Sequence, residues 1–183
     1  MQDAGVDIRA LRNALGHYTT GVTIVTTLTP EGDHTGVTVN SFTSVSLEPP
    51  LVLFCLATRS SLRGAFEQAG HFAVNVLAKG QQALSNQFAR PSCNTWEGVR
   101  YRNGRNGCAL LTGAIGTFEC ASRAVYHAGD HLILVGEVLC FETAATPMPL
   151  AFYGGSYGSF TRDQSGVIAA PDGSLADFVS YWG

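Results

Sequence analysis

Three clusters of side chains have the types and spacing to do chemistry. Residues 38–52 read TVNSFTSVSLEPPLV, a run dense in hydroxyls, with an amide at Asn40, that crosses a double proline into an apolar stretch. Hydroxyls and freed backbone N–H groups at the end of a strand make a ledge of donors, which suits a planar heterocycle rich in acceptors. Arg59, Ser60 and Ser61 follow at the expected start of a helix, where orphan N–H groups, the positive end of the dipole and two hydroxyls favour a phosphate. Ledge and phosphate seat, joined by one buried strand, would hold the two ends of a mononucleotide. The third cluster is Gly129-Asp130-His131. An imidazole near a hairpin tip, with an ordinary pKa of ~6.5, can serve as acid, base or donor near neutral pH.

Each cluster also has a plain structural counterpart. A Ser/Thr-rich run before Pro-Pro describes an ordinary solvated loop, and a serine at a helix start describes an N-cap. Gly-Asp followed by His describes a turn with a partly exposed ring beside it, and Asp130 either orients that ring or caps the turn. Local sequence alone favours the plain description of His131.

The elements that must position these groups can be read along the chain. Ile8, Leu11 and Leu15 recur at helical spacing behind Asp7, which predicts a capped helix over about 7–17. GVTIVTTLT (21–29) and TGVTVNSF (35–42) flank the turn cluster PEGDH and read as a β-hairpin. LVLFCLA (51–57), apolar on both faces, predicts a central strand. A short helix capped by Ser60 or Ser61, a strand over 72–78 and a helix ending at Pro91 come next. Residues 91–108 lack periodicity and read as a long surface loop. Three strand-like runs follow: CALLTGAIGTFECAS, RAVYH and HLILVGEVLCFE (131–142), the last two joined tightly through Ala128-Gly129-Asp130. PMPLAFYGGSYGSF spaces glycines between aromatics, and the turn-rich tail from Thr161 to Gly183 is expected to pack on a neighbouring surface or fray. No repeat or linker divides the 183 residues. A single domain is expected, mainly β, with six or seven strands in an antiparallel barrel and two or three short helices.

Composition narrows the function classes. The chain is 45% hydrophobic and only 14% charged, with a net charge of -3 and scattered Lys and Arg, which argues against nucleic acid or an anionic membrane as partner. The start of the chain lacks a signal-peptide pattern and no run approaches the ~20 apolar residues of a membrane span, so a cytoplasmic protein is expected. Five cysteines, at 55, 93, 108, 120 and 140, include no C-x-x-C pair, and no H-E-x-x-H occurs; neither a disulfide framework nor a metal is expected. Walker A, G-x-G-x-x-G and G-x-S-x-G patterns are absent as well, so any nucleotide is held without a Rossmann fingerprint.

Taken in order, T-G-V-T-I-V-T (20–26), T-V-N-S-F-T-S-V-S-L-E-P-P-L-V (38–52), R-S-S (59–61), F-A-V-N-V-L (72–77), Q-F-A (87–89) and G-D-H (129–131) resemble the short-chain flavin reductase family. The resemblance covers about residues 8–160. It implies the FMN-binding split β-barrel, an antiparallel, Greek-key-like fold with a few short flanking helices. It also implies that Asn40, Ser41, Phe42, Thr43 and Ser44 line the flavin ring and ribityl chain, with Cys55, Leu56 and Ala57 passing beside them. Ser60 and Ser61 match the phosphate seat, and Phe88, Ala89 and Arg90 match a segment near the phosphate side. His131 matches a histidine at the nicotinamide site, and Tyr157 is expected to flank it. The implied activity is transfer of hydride from NADH (or NADPH) to FMN or FAD, by a homodimer that supplies reduced flavin to a separate monooxygenase. The rival expectations are a flavin carrier without turnover and a split-barrel flavoenzyme that acts directly on an organic substrate.

Overall fold

The structure, a computed structural model, describes residues 5–90, 96–145 and 148–161. In chain order the elements are α1 (Ile8–Leu15), β1 (Thr20–Gly21), β2 (Thr23–Leu28), β3 (His34–Val39), β4 (Thr43–Leu47), β5 (Pro50–Ala57), α2 (Arg63–Gln68), β6 (His71–Val76) and α3 (Gln82–Ala89). They continue with β7 (Tyr101–Asn103), β8 (Ala109–Leu111), β9 (Gly116–Ala128), β10 (His131–Thr143), β11 (Leu150–Tyr153) and β12 (Ser156–Ser159). The fold is mainly β and antiparallel, as expected. A seven-stranded sheet runs β3-β2-β6-β9-β10-β5-β4, with a small sheet β1-β11-β12 and the pair β7-β8 beside it. Among the described residues no helix is long and apolar enough to cross a membrane.

Burial on both faces explains the β-branched texture of β2. Val25 joins the main core with Phe54, Phe66, Phe72 and Leu134, while its neighbour Ile24 joins a second core with Leu77, Phe88 and Leu150. Successive side chains of a strand point to opposite faces, so one strand feeds both clusters. Polar side chains rivet the layers. Asn75, fully buried, donates to the carbonyls of Ile24 (3.1 Å) and Ala109 (3.3 Å) and accepts from the N–H of Leu111 (2.7 Å). Thr26 adds a 2.7 Å bond to the Ala109 carbonyl, so β8 is fixed over β2 and β6.

The long ribbon β9–β10 bends the sheet. Its register shifts between Val135 and Gly136 and again between Val138 and Cys140, and such bulges increase local twist. Gly136 lies where the ribbon crosses the core: a Cβ there would collide with the Phe72 ring. The curl carries β3, one edge of the sheet, back toward β5.

Several expectations are corrected. The run 51–57 is not central: β5 is next to the edge, and only alternate residues (Val52, Phe54, Leu56) enter the core. TGVTVNSF does not form one strand, because β3 stops at Val39 and Thr43–Leu47 forms its own edge strand. β9 is unbroken across what reads as two runs, CAS and RAVYH, since pairing with β6 and β10 carries it through Arg123. The 91–108 segment contains β7, paired with β8, while residues 91–95 lie outside the described residues. The glycine-aromatic segment is a hairpin whose Gly154 and Gly155 take φ of 55° and 81°. The second helix begins at Arg63 behind Leu62; neither Ser60 nor Ser61 is its N-cap. The tail from residue 162 lies outside the described residues.

Candidate functional site

The sheet's failure to close creates the site. β4 covers β5 only as far as Leu53, which pairs with Thr43, so Phe54–Ala57 keep one edge uncovered by a ladder. β3 comes up to that edge without joining it. Its continuation, Ser41, reaches across: the Ser41 hydroxyl accepts from the Cys55 N–H at 2.9 Å and donates to the Cys55 carbonyl at 3.3 Å. Beyond this contact the two strands separate, and a cleft of about 440 Å³ opens between Val37–Ser41 and Cys55–Ala57. Arg59, Ser60 and His131 complete its lining.

Backbone alternation decides what the β5 edge offers. Cys55 turns its N–H and C=O toward β3, whereas Thr58 donates its N–H at 2.9 Å to the Asp130 carbonyl on the opposite side. Odd-numbered residues therefore face the cleft, and the N–H of Ala57 points into it. The Ala57 carbonyl is engaged by the Ser60 N–H at 2.9 Å, which folds the chain back after β5 and places Arg59 and Ser60 on the rim. Ser60 Oγ accepts from the Leu62 N–H at 3.2 Å.

His131 arrives from the first position of β10, opposite Ala57 in the ladder. Gly129, with φ of 62°, makes the tight turn before it. Nδ1 of His131 lies 2.7 Å from Asp130 Oδ1. The hydrogen bond from His131 and then its charge hold the Asp130 carboxyl below its ordinary 3.8. At neutral pH an ionised carboxylate only accepts, so Nδ1 carries the proton and Nε2 is the nitrogen left free of this tie. Asp130 is itself anchored through its carbonyl by the Thr58 N–H and hydroxyl (3.0 Å).

A second, smaller lobe of about 200 Å³ adjoins the cleft and shares Thr38, Val39 and Asn40 with it. Val22, Ser85, Ala89, Phe152 and Tyr157 line the rest. The Tyr157 hydroxyl bonds to Ser85 Oγ at 2.9 Å and donates to Asn86 Oδ1 at 3.0 Å, and Thr38 donates to the Ser85 carbonyl at 2.7 Å. α3 thus ties β12 to the wall of the cleft.

Of the residues singled out from sequence, Asn40, Ser41, Cys55, Leu56, Ala57, Ser60 and His131 come together in the cleft, and Ala89 and Tyr157 in the lobe beside it. Phe42 instead packs toward the core, 5.6 Å from the Phe118 ring. Thr43 and Ser44 are exposed on β4, Ser61 and Arg90 are exposed, and Phe88 is buried against Trp96. None of these six lines the cleft. Arg59, read with Ser60 and Ser61 as part of a phosphate seat, also lines the cleft, whereas sequence reading gave Val37, Thr38 and Val39 no individual role; the cleft's length along β3 follows from where β4 stops covering β5.

The donor set fits a flavin nucleotide. The Asn40 amide and the Ala57 N–H match ring acceptors, and the Arg59 guanidinium and Ser60 hydroxyl match an anionic tail. The two lobes together fall within the ~300–1,000 Å³ of small-molecule sites.

Comparison with known proteins points the same way. Residues 15–161 match the family described as flavin reductase like domain. The chain is 46% identical over 158 residues to the FMN reductase (NADH) SmoA of Agrobacterium fabrum, covering 86% of this chain and 89% of that one. It is 42% identical over 173 residues to the reductase component of a flavin-dependent trigonelline monooxygenase of Acinetobacter baylyi, covering 92% of this chain but only 54% of the relative's length. The structure of the Streptomyces globisporus NADH:FAD oxidoreductase SgcE6, in complex with NAD and FAD fragments, superposes with a TM-score of 0.81 at 36% identity over 86% of this chain and 95% of that one.

Proposed function

The chain belongs to the flavin reductase like domain family, and from that premise we propose that it transfers hydride from NADH to FMN or FAD and passes the reduced flavin to a separate monooxygenase. The observation that carries this reading is the convergence of Asn40, Ala57, Arg59, Ser60 and His131 on one cleft in the gap between β3 and β5.

A bound flavin would supply a ring able to accept hydride from a nicotinamide. The protein's part is positioning. Asn40 and the Ala57 N–H donate to acceptors of the ring, and donors there stabilise negative charge as it develops. Arg59 and Ser60 take the phosphate end. This role does not depend on a helix dipole, since α2 has six residues and starts three positions later. His131 orients the nicotinamide, with Asp130 fixing its tautomer. Tyr157 and Ala89 border the far lobe.

We further propose a cytoplasmic homodimer. The exposed apolar stripe Ile8, Leu11 and Leu15 on α1, a helix with no buried residue, supports a second copy as its cover. The reductase reading is tested by following NADH absorbance with FMN or FAD in large excess over protein. Continuous flavin-dependent loss of NADH is expected, and the two rates rank the flavins. A single equivalent oxidised, with flavin retained on gel filtration, would replace the reductase with a carrier.

A further inference from the structure

We infer that Ser41 is a positioning residue that bolts the open seam of the barrel, setting the edge of β5 at which flavin is bound, and is not itself a flavin ligand. The inference rests on the flavin reading of the cleft for its functional half and on hydrogen-bond geometry for its structural half.

Three observations carry it. First, ladder pairing on this side of β5 ends at Leu53, so the next inward-facing pair of backbone groups, those of Cys55, has no strand partner. Second, one hydroxyl serves both of those groups, accepting from the Cys55 N–H (2.9 Å) and donating to its carbonyl (3.3 Å). A serine hydroxyl has a single proton to donate, and here it is directed to the Cys55 carbonyl. Third, the contact lies at the head of the cleft, between Asn40 on one strand and Ala57 on the other, both of which line it. This contact ties the continuation of β3 to β5, and removing it loosens the spacing between the Asn40 and Ala57 donors.

The chemistry therefore separates two roles that sequence merges. Ser41 spends its donor within the protein, whereas Asn40 and the Ala57 N–H remain to meet a ligand.

The test combines amide exchange at Cys55, read in the protein without flavin, with the FMN dissociation constant from flavin fluorescence, for wild type, Ser41→Ala and Ser41→Thr. In Ser41→Ala the Cys55 amide should exchange at least about tenfold faster and FMN should bind about tenfold more weakly, as expected for loss of one bridging hydroxyl. Ser41→Thr, which keeps the hydroxyl, should restore both. Weaker FMN binding with unchanged Cys55 exchange would make Ser41 a direct ligand and overturn the inference. Faster exchange with unchanged FMN binding would overturn the positioning role. If Ser41→Ala does not fold, Ser41→Cys, with its weakly bonding thiol, is read on the same two axes. A wild-type protein that binds no FMN would sink the flavin reading alone, and Cys55 exchange would still decide whether the bolt exists.

Discussion

His131 and the cysteines show how position within one strand decides a side chain's chemistry. His131 opens β10 at the rim of the cleft with Nδ1 committed to Asp130. His131→Ala should lower NADH turnover by about tenfold to a hundredfold, the worth of one or two lost bonds to substrate, while FMN affinity stays within about twofold. Equal turnover in the two proteins would remove His131 from the nicotinamide site. The Asp130 pairing has a definite pH window. Because the folded carboxyl lies below 3.8, its small contribution is complete above that value and is lost as pH falls further through the folded pKa. The His131 ring should accordingly hold its Nδ1–H tautomer whenever it is neutral, and nitrogen NMR of the imidazole checks this. Cys108 and Cys120 behave oppositely. Burial, with Glu119 contributing to both, pushes their thiols up to about 12 from 9.0. They should resist alkylation at pH 8 while half-buried Cys55 and Cys140 react, with FMN protecting Cys55 and not Cys140. The raised pKa values also make stability fall as pH rises from 9.0 toward 12, which alkaline denaturation would register.

At the scale of elements, helix α1 and strand β6 differ sharply in what they contribute. Asp7 caps α1 by accepting from the N–H groups of Arg9 (2.8 Å) and Ala10 (3.2 Å), yet α1 buries nothing in this chain. Asp7→Ala should remove about 1 kcal/mol from the helix and leave FMN binding unchanged. Asn75→Ala is the contrasting case. It deletes a buried amide with three backbone partners and should lower stability by about 3 kcal/mol in urea unfolding, because the Leu111 N–H is left unpaired in the interior. Most element boundaries were legible from sequence: the Asp7 cap, the β2–β3 hairpin, β6, α3 and the turn at Gly129 all stand where periodicity and turn residues put them. The misread elements share a cause. β5 reads as doubly apolar although its odd-numbered residues stay half-buried outside the core, Cys55 and Ala57 among them lining the cleft, and Thr43–Leu47 reads as a loop because an edge strand has little to bury. β7 has three exposed residues and left no periodic trace.

For the whole molecule, the exposed stripe on α1 and the open seam between β3 and β5 are features that the core of the described residues leaves uncovered. Sedimentation should show a dimer, and Leu11→Glu, placing a charge in the stripe, should shift it toward monomer by at least about tenfold in dissociation constant. A monomeric wild type would leave α1 without a copy of itself as cover. The sequence by itself determined the antiparallel β class and the family, because those follow from local periodicity, turn chemistry and motif order. It did not determine which hydroxyls of TVNSFTS face a ligand. Ser41 and Asn40 are adjacent, and Thr43 and Ser44 follow within four positions, but the end of β3, the start of β4 and the curl of the β9–β10 ribbon distribute them among a seam, a cleft and an exposed edge. Only long-range strand pairing fixes that distribution, because a one-residue change of register would exchange every inward group for an outward one.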